Sequence, residues 1–153
     1  MTTFTIGFLG RYRYTSSMQD YVDSIILNYL CRQEILVVMV HLNNIYAQQI
    51  AERVLTIRRI CPSIKLRVVL TDDNRKGNGE RTYFPAAVNR EKIIGQADLI
   101  DRLTVDMSLA LHERLSVYFL HNSDLIVYSP YRMSKAVKQD FRNRLRRMKL
   151  HRM

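Results

Sequence analysis

The stretch ILVVMVHLNN (residues 35–44) decides how the rest of the chain is read. Its first eight residues are apolar or β-branched at consecutive positions, broken only by His41. A strand with one wet face alternates, whereas one buried on both faces is continuously apolar, as in a parallel sheet covered by helices on each side. Asn43 and Asn44 then offer side chains that cap a following helix.

Outward from this strand the pattern alternates. Residues 4–8 form a first short apolar run, Gly10 turns the chain, and a helix is expected over 16–32 with Met18, Val22, Ile25, Ile26, Tyr29 and Leu30 at helical spacing. A second helix runs from 45 to about 61, where Pro62 stops it. Its stripe is Ile45, Ala47, Ile50, Ala51, Val54, Leu55, Ile57 and Ile60. A strand over 64–70 follows, then the irregular TDDNRKGNGERTYF, then a helix over 85–96 with Pro85 suited to its first turn. Strands at 99–105 and 124–130 flank a helix over 108–121, and a last helix covers 133–149. Such alternation predicts one Rossmann-like α/β domain over 1–153, three layers α/β/α around a mainly parallel sheet of about five strands.

A chain of 153 residues is long enough to bury a core without disulfides or metal. Its longest apolar run is six residues, ILVVMV, too short for a membrane span, and the N-terminus lacks the pattern of a signal peptide. Cys31 and Cys61 fit no metal or redox spacing and read as reduced core residues. These features together predict a cytoplasmic protein. Net charge is +10, but its placement is uneven. Residues 132–153 hold nine Lys or Arg against Asp140 alone, +8 in all, and the other 131 residues carry 15 basic and 13 acidic side chains.

Three blocks resemble the YpsA-like branch of the SLOG superfamily, the Rossmannoid group that includes DprA and the LOG phosphoribohydrolases. AQQIAERVLTIRRICPSIKLRVVL is similar to a long helix that leads through "P-x-I-K-L" into a third strand. REKIIGQADLIDRLTV resembles a helix ending in "A-D" before a short strand, and HERLSVYFLHNSDLIVYSP resembles the segment with "R-N-x-x-M-V-D-x-S-D". FLGRYRY is a looser echo of "F-T-G-H-R-P" after strand one. The chain departs from the family where a glycine-rich loop would follow strand two, since it reads VMVHLNNIYAQQ, and where a Gly-Gly-Thr turn would follow strand five, since it reads YSPYRMSKA. The signature "P-G-G-x-G-T-x-x-E" is absent, and Leu115 stands where the Asn of "R-N" would be, after Arg114. The resemblance implies a Rossmann-like fold and a nucleotide or nucleotide derivative as ligand, in a divergent site whose glycine cradle is largely lost.

In an open parallel sheet, ligands bind at the carboxyl ends of the strands. The loops expected there offer Gly10, Arg11, Arg13, Asn43, Asn44, Thr71, Ser129 and Arg132, with Arg114 reaching in from its helix. Guanidinium groups beside helix N-termini suit phosphate or carboxylate. No catalytic constellation or metal spacing is visible. His41 reads as a core or rim histidine, and Asp72 and Asp73 read as turn residues. The expected function is therefore non-catalytic binding or sensing of a small anionic ligand. The alternative is nucleic-acid or acidic-partner binding through the basic tail, by Lys135, Lys138, Arg142, Arg144, Arg146, Arg147 and Lys149. Met133, Val137, Phe141, Leu145 and Met148 would form the tail's apolar stripe, leaving no aromatic for base stacking. A homodimer is also expected, with no face singled out.

Overall fold

The computed structural model describes residues 2–9, 16–42, 45–72, 84–104, 111–128 and 149–152. The elements are β1 (Thr3–Leu9), α1 (Ser16–Leu30), β2 (Ile35–His41), α2 (Ile45–Ile60), β3 (Ile64–Asp72), α3 (Phe84–Gln96), β4 (Leu99–Thr104), α4 (Leu111–Asn122), β5 (Leu125–Tyr128) and β6 (Lys149–Arg152). All strand pairs are parallel, in the order β4-β3-β2-β1-β5-β6. The α/β architecture expected from the alternating runs is the one observed.

The chain steps outward from β1 through β2 and β3 to β4, then returns across the sheet to place β5 on the other side of β1. Right-handed crossovers put helices of opposite travel on opposite faces. Packing follows this rule. Val22, Ile25 and Ile26 of α1, Ala47, Ile50, Ala51, Val54 and Leu55 of α2 and Ile93 of α3 share one cluster with Ile6, Phe8, Leu36, Val38, Val40, Ile64, Leu66, Val68 and Leu70. On the other face Leu115, Phe119 and Leu120 of α4 pack on Leu9, Met39, Val69 and Ile126.

Three strands are each preceded by an acid that pins them to a neighbour. Asp124 donates its N–H to the Thr5 carbonyl and accepts the Thr5 N–H at Oδ2, both at 2.8 Å. Asp98 does the same to Leu66, at 2.9 and 2.8 Å, and its carboxylate also takes Arg58 Nη1 at 2.8 Å. Glu34 accepts the Thr2 N–H at 3.2 Å while the Ile35 N–H donates to the Thr2 carbonyl at 3.3 Å. Each acid thereby fixes both alignment and neighbour for the strand that follows. Arg53 adds a two-point bridge from α2 to Asp23 of α1, at 2.8 Å for each contact.

Several expectations need correction. Residues 149–152 pair with β5 as a sixth strand, so the last helix does not reach Lys149; residues 133–148 lie outside the described residues. Parallel pairing to β5 supplies the hydrogen bonds that KLHR, with one strongly apolar residue, does not advertise. Thr71 and Asp72 belong to β3 and pair with Leu103 and Thr104, so neither is a loop residue. Ile45 and Ile60, first and last in α2, stand at the rims of the helical layer and are 54% and 82% exposed. Cys31 is exposed and Cys61 half-buried, both just past helix ends, so neither is a core residue.

Gly7 carries the contact between β1 and α4. A Cβ there would sit 2.5 Å from Ser123 Oγ and 2.8 Å from Phe119 Cδ2, and Phe119 is fully buried. Gly7→Ala is therefore expected to destabilise the fold by about 1–3 kcal/mol through overpacking. Urea denaturation measures this, and Phe119→Leu is expected to cost less in the Gly7→Ala background than in the native chain.

Candidate functional site

Strand order reverses between β1 and β5, and a crevice at such a reversal is where open α/β sheets bind ligands. Leu9 and Tyr128, the last residues of these strands, lie side by side in register. Leu115, in the first turns of α4, packs in the same cluster as both, which brings half-buried Arg114 to the same end of the sheet. Gly10, Arg11 and Arg13 follow β1 directly in sequence, and Ser129 and Arg132 follow β5. These five, with Asn43 and Asn44, lie outside the described residues, as do Lys135, Lys138, Arg142, Arg144, Arg146 and Arg147. Lys149 opens β6 at the far edge.

Next to the reversal, β2 and β3 end in a polar pair. His41 Nε2 and Thr71 Oγ1 are 3.1 Å apart. Burial, reinforced by the charge of Arg90, pulls the His41 pKa down from 6.5 to about 3. The imidazole is thus neutral at physiological pH and supplies no positive charge to an anion. It can share one proton with the Thr71 hydroxyl as donor or acceptor. This agrees with the reading of His41 as a rim histidine.

The cation at this edge comes instead from α3. Arg90 Nε donates to the Leu42 carbonyl at 3.2 Å, just before α2 begins, and the guanidinium keeps part of its surface in solvent. Gln48, in the first turns of α2, is buried, and its amide nitrogen has no hydrogen-bond partner among the described residues. Neither residue stood out in sequence, because one arginine on an amphipathic helix looks like any solvated charge. The spacing of Arg90 after Pro85, within the helix behind strand three, is the only signal that places it near this edge.

Two other features lie elsewhere. Arg67 donates to Asp101 and, through Nη2 at 3.2 Å, to the Tyr118 hydroxyl, tying α4 to β3 and β4. Burial first, then Asp101, raises the Tyr118 phenol above its ordinary pKa. A groove of about 190 Å³ runs between α2 and α3, lined by Leu55, Arg59, Lys92 and Gln96 among others, in the helical layer and not at the strand ends. Among the described residues no three His, Cys, Asp or Glu side chains gather as metal ligands, and no helix is long and apolar enough to cross a membrane.

Fold and strand order together define a Rossmann-like α/β domain whose strand order reverses between β1 and β5. No family model matches the chain, and no curated protein matches it significantly.

His41 makes stability depend on pH. Above pH 6.5 both folded and unfolded chains hold it neutral; below, the unfolded chain takes up a proton that the folded one refuses until about pH 3. Its contribution is therefore complete above 6.5 and is lost as pH falls through that window. Between about pH 7 and about pH 5 this amounts to about 2 kcal/mol. Urea melts at the two values are expected to show a drop in the native protein that is smaller by roughly this amount in His41→Gln.

Proposed function

We propose that this protein binds a small anionic, nucleotide-derived ligand at the carboxyl ends of β1 and β5 and catalyses no reaction on it. The observation that carries the reading is the reversal of strand order there, immediately before the segments that hold Arg11, Arg13, Ser129 and Arg132. Arg114 at the same end, Arg90 on the Leu42 carbonyl and the Gln48 amide, which has no partner among the described residues, support it, being the donors an anion takes. A divergent place in the YpsA-like branch of SLOG, argued from the three blocks of sequence, is part of the same proposal. A cytoplasmic setting follows from it.

Adenine and guanine mononucleotides, NAD and ADP-ribose are the probes. A ligand at about 100 times its Kd adds about 2.7 kcal/mol to stability, which raises Tm by several degrees in a chain this size. At least one probe is expected to do so, and Arg11→Ala combined with Arg13→Ala is expected to abolish the shift. No shift with any probe at millimolar concentration rules the reading out.

The concentration of charge in residues 132–153 favours a second reading, sequence-independent nucleic-acid binding. Truncation after Arg132 is a poor test because it also removes β6 from the sheet. Changing Lys135, Lys138, Arg142 and Arg144 to Gln is cleaner. Retention on duplex DNA at low salt is expected to weaken, with the salt slope falling by about 0.9 for each phosphate that is no longer neutralised. Lack of retention by the native protein at low salt excludes this reading.

A further inference from the structure

β4 is an outer strand, so the backbone donors and acceptors on its free side meet no strand among the described residues. Two adjacent large apolar residues of this strand, Leu99 and Ile100, are 49% and 42% exposed. They point to opposite faces: Ile100 is in register with Val68 of the three-helix cluster, and Leu99 with Arg67 of the α4 face. An open edge with apolar residues on both faces invites strand pairing. The opposite edge among the described residues is β6. Pairing β4 of one molecule with β6 of the next is a head-to-tail contact, which gives open fibres unless its rotation closes a ring.

We infer that β4 is the seam of a homodimer, in which two β4 strands pair antiparallel across a two-fold axis centred on Ile100 and merge the two sheets. The occupant of the edge is a second copy of this chain, and the register follows from parity and charge. Residues opposed in an antiparallel pair share a face, so the axis must pass through a residue opposed to itself. Centring on Asp101 or Arg102 opposes identical charges, which is unfavourable. Centring on Leu99 sets Ile100 against the partner's Asp98. Centring on Ile100 sets it against the partner's Ile100 and Leu99 against the partner's Asp101, and it alone also sets Asp98 against the partner's Arg102, on both sides of the axis. Asp98 and Arg58 each keep about 25% of their side chains in solvent, so the carboxylate can accept a further donor. Half-buried Ile94 of α3 packs against the three-helix cluster, on the same face of the sheet as Ile100.

Dimerisation through this edge is independent of ligand binding. An interface built on one short strand is small, so affinity in the micromolar range is expected. Light scattering coupled to gel filtration, from about 1 to about 200 µM, is expected to show the mass rising from monomer to dimer. Ile100→Lys is expected to stay monomeric throughout with an unchanged circular dichroism spectrum. In a Cys31→Ser, Cys61→Ser background, Ile100→Cys is expected to form a disulfide-linked dimer on mild oxidation, since opposed Cα atoms in such a pair lie about 4.5–5.5 Å apart. Ile45→Cys, equally exposed but on α2, is expected to do so far more slowly. A native protein that stays monomeric at the highest concentration overturns the proposal. So does a dimer in which Ile100→Cys links no faster than Ile45→Cys.

Discussion

The grip of Asp124 on the Thr5 backbone is the constraint on which the molecule's layout turns. Three crossovers carry the chain away from β1, and the fourth must bring it back over the whole sheet to the unoccupied side of the same strand. Nothing in the apolar run LIVY specifies that destination, since any strand edge would accept it. The paired backbone and carboxylate bonds at 2.8 Å do specify it, and they set Ile6 against Leu125 and Leu9 against Tyr128. Hydrogen bonds to a charged acceptor contribute roughly 1.5–3 kcal/mol each, enough to select one register over a slipped one. Gly7 completes the arrangement by letting Phe119 close on β1 without a Cβ in the way.

The two faces of the sheet differ in chemistry as a result. The face under α1, α2 and α3 is almost wholly aliphatic from Ile6 to Leu70. The face under α4 mixes Met39, Val69 and Ile126 with Thr5, His41, Thr71, Arg67 and Asp101. Polar side chains are tolerated there because they are paired: His41 with Thr71, Arg67 with Asp101 and Tyr118. The polar face and the strand-order reversal meet at one end of the sheet, where a neutral imidazole and a hydroxyl offer dipoles in place of charge.

Much of this architecture is legible in the residues. Continuous apolar runs such as ILVVMV announce doubly covered strands because both faces of each strand must be dry. The stripes of α1 and α2 follow from their 3.6-residue period, apart from Ile45 and Ile60, where periodicity continues past the surface that needs covering. β6 is hidden because its four residues gain their strand character from β5 alone. The candidate site is less legible. The reversal of strand order can be anticipated from the alternation, but the neutrality of His41 and the arrival of Arg90 at Leu42 are tertiary events. They depend on how deeply a strand end is buried and on which helix lies beside it.

The sixth strand changes what kind of object the basic segment is. Residues 129–148 carry seven arginines and lysines against one aspartate, and they leave the sheet at β5 and rejoin it at the adjacent β6. Neighbouring strands lie about 4.8 Å apart, so the chain on either side of the segment is held in adjacent strands. The entropy of bringing its ends together is lost when the sheet forms and grows only slowly with loop length. The six net positive charges of this segment are therefore joined to the sheet at both ends of their sequence.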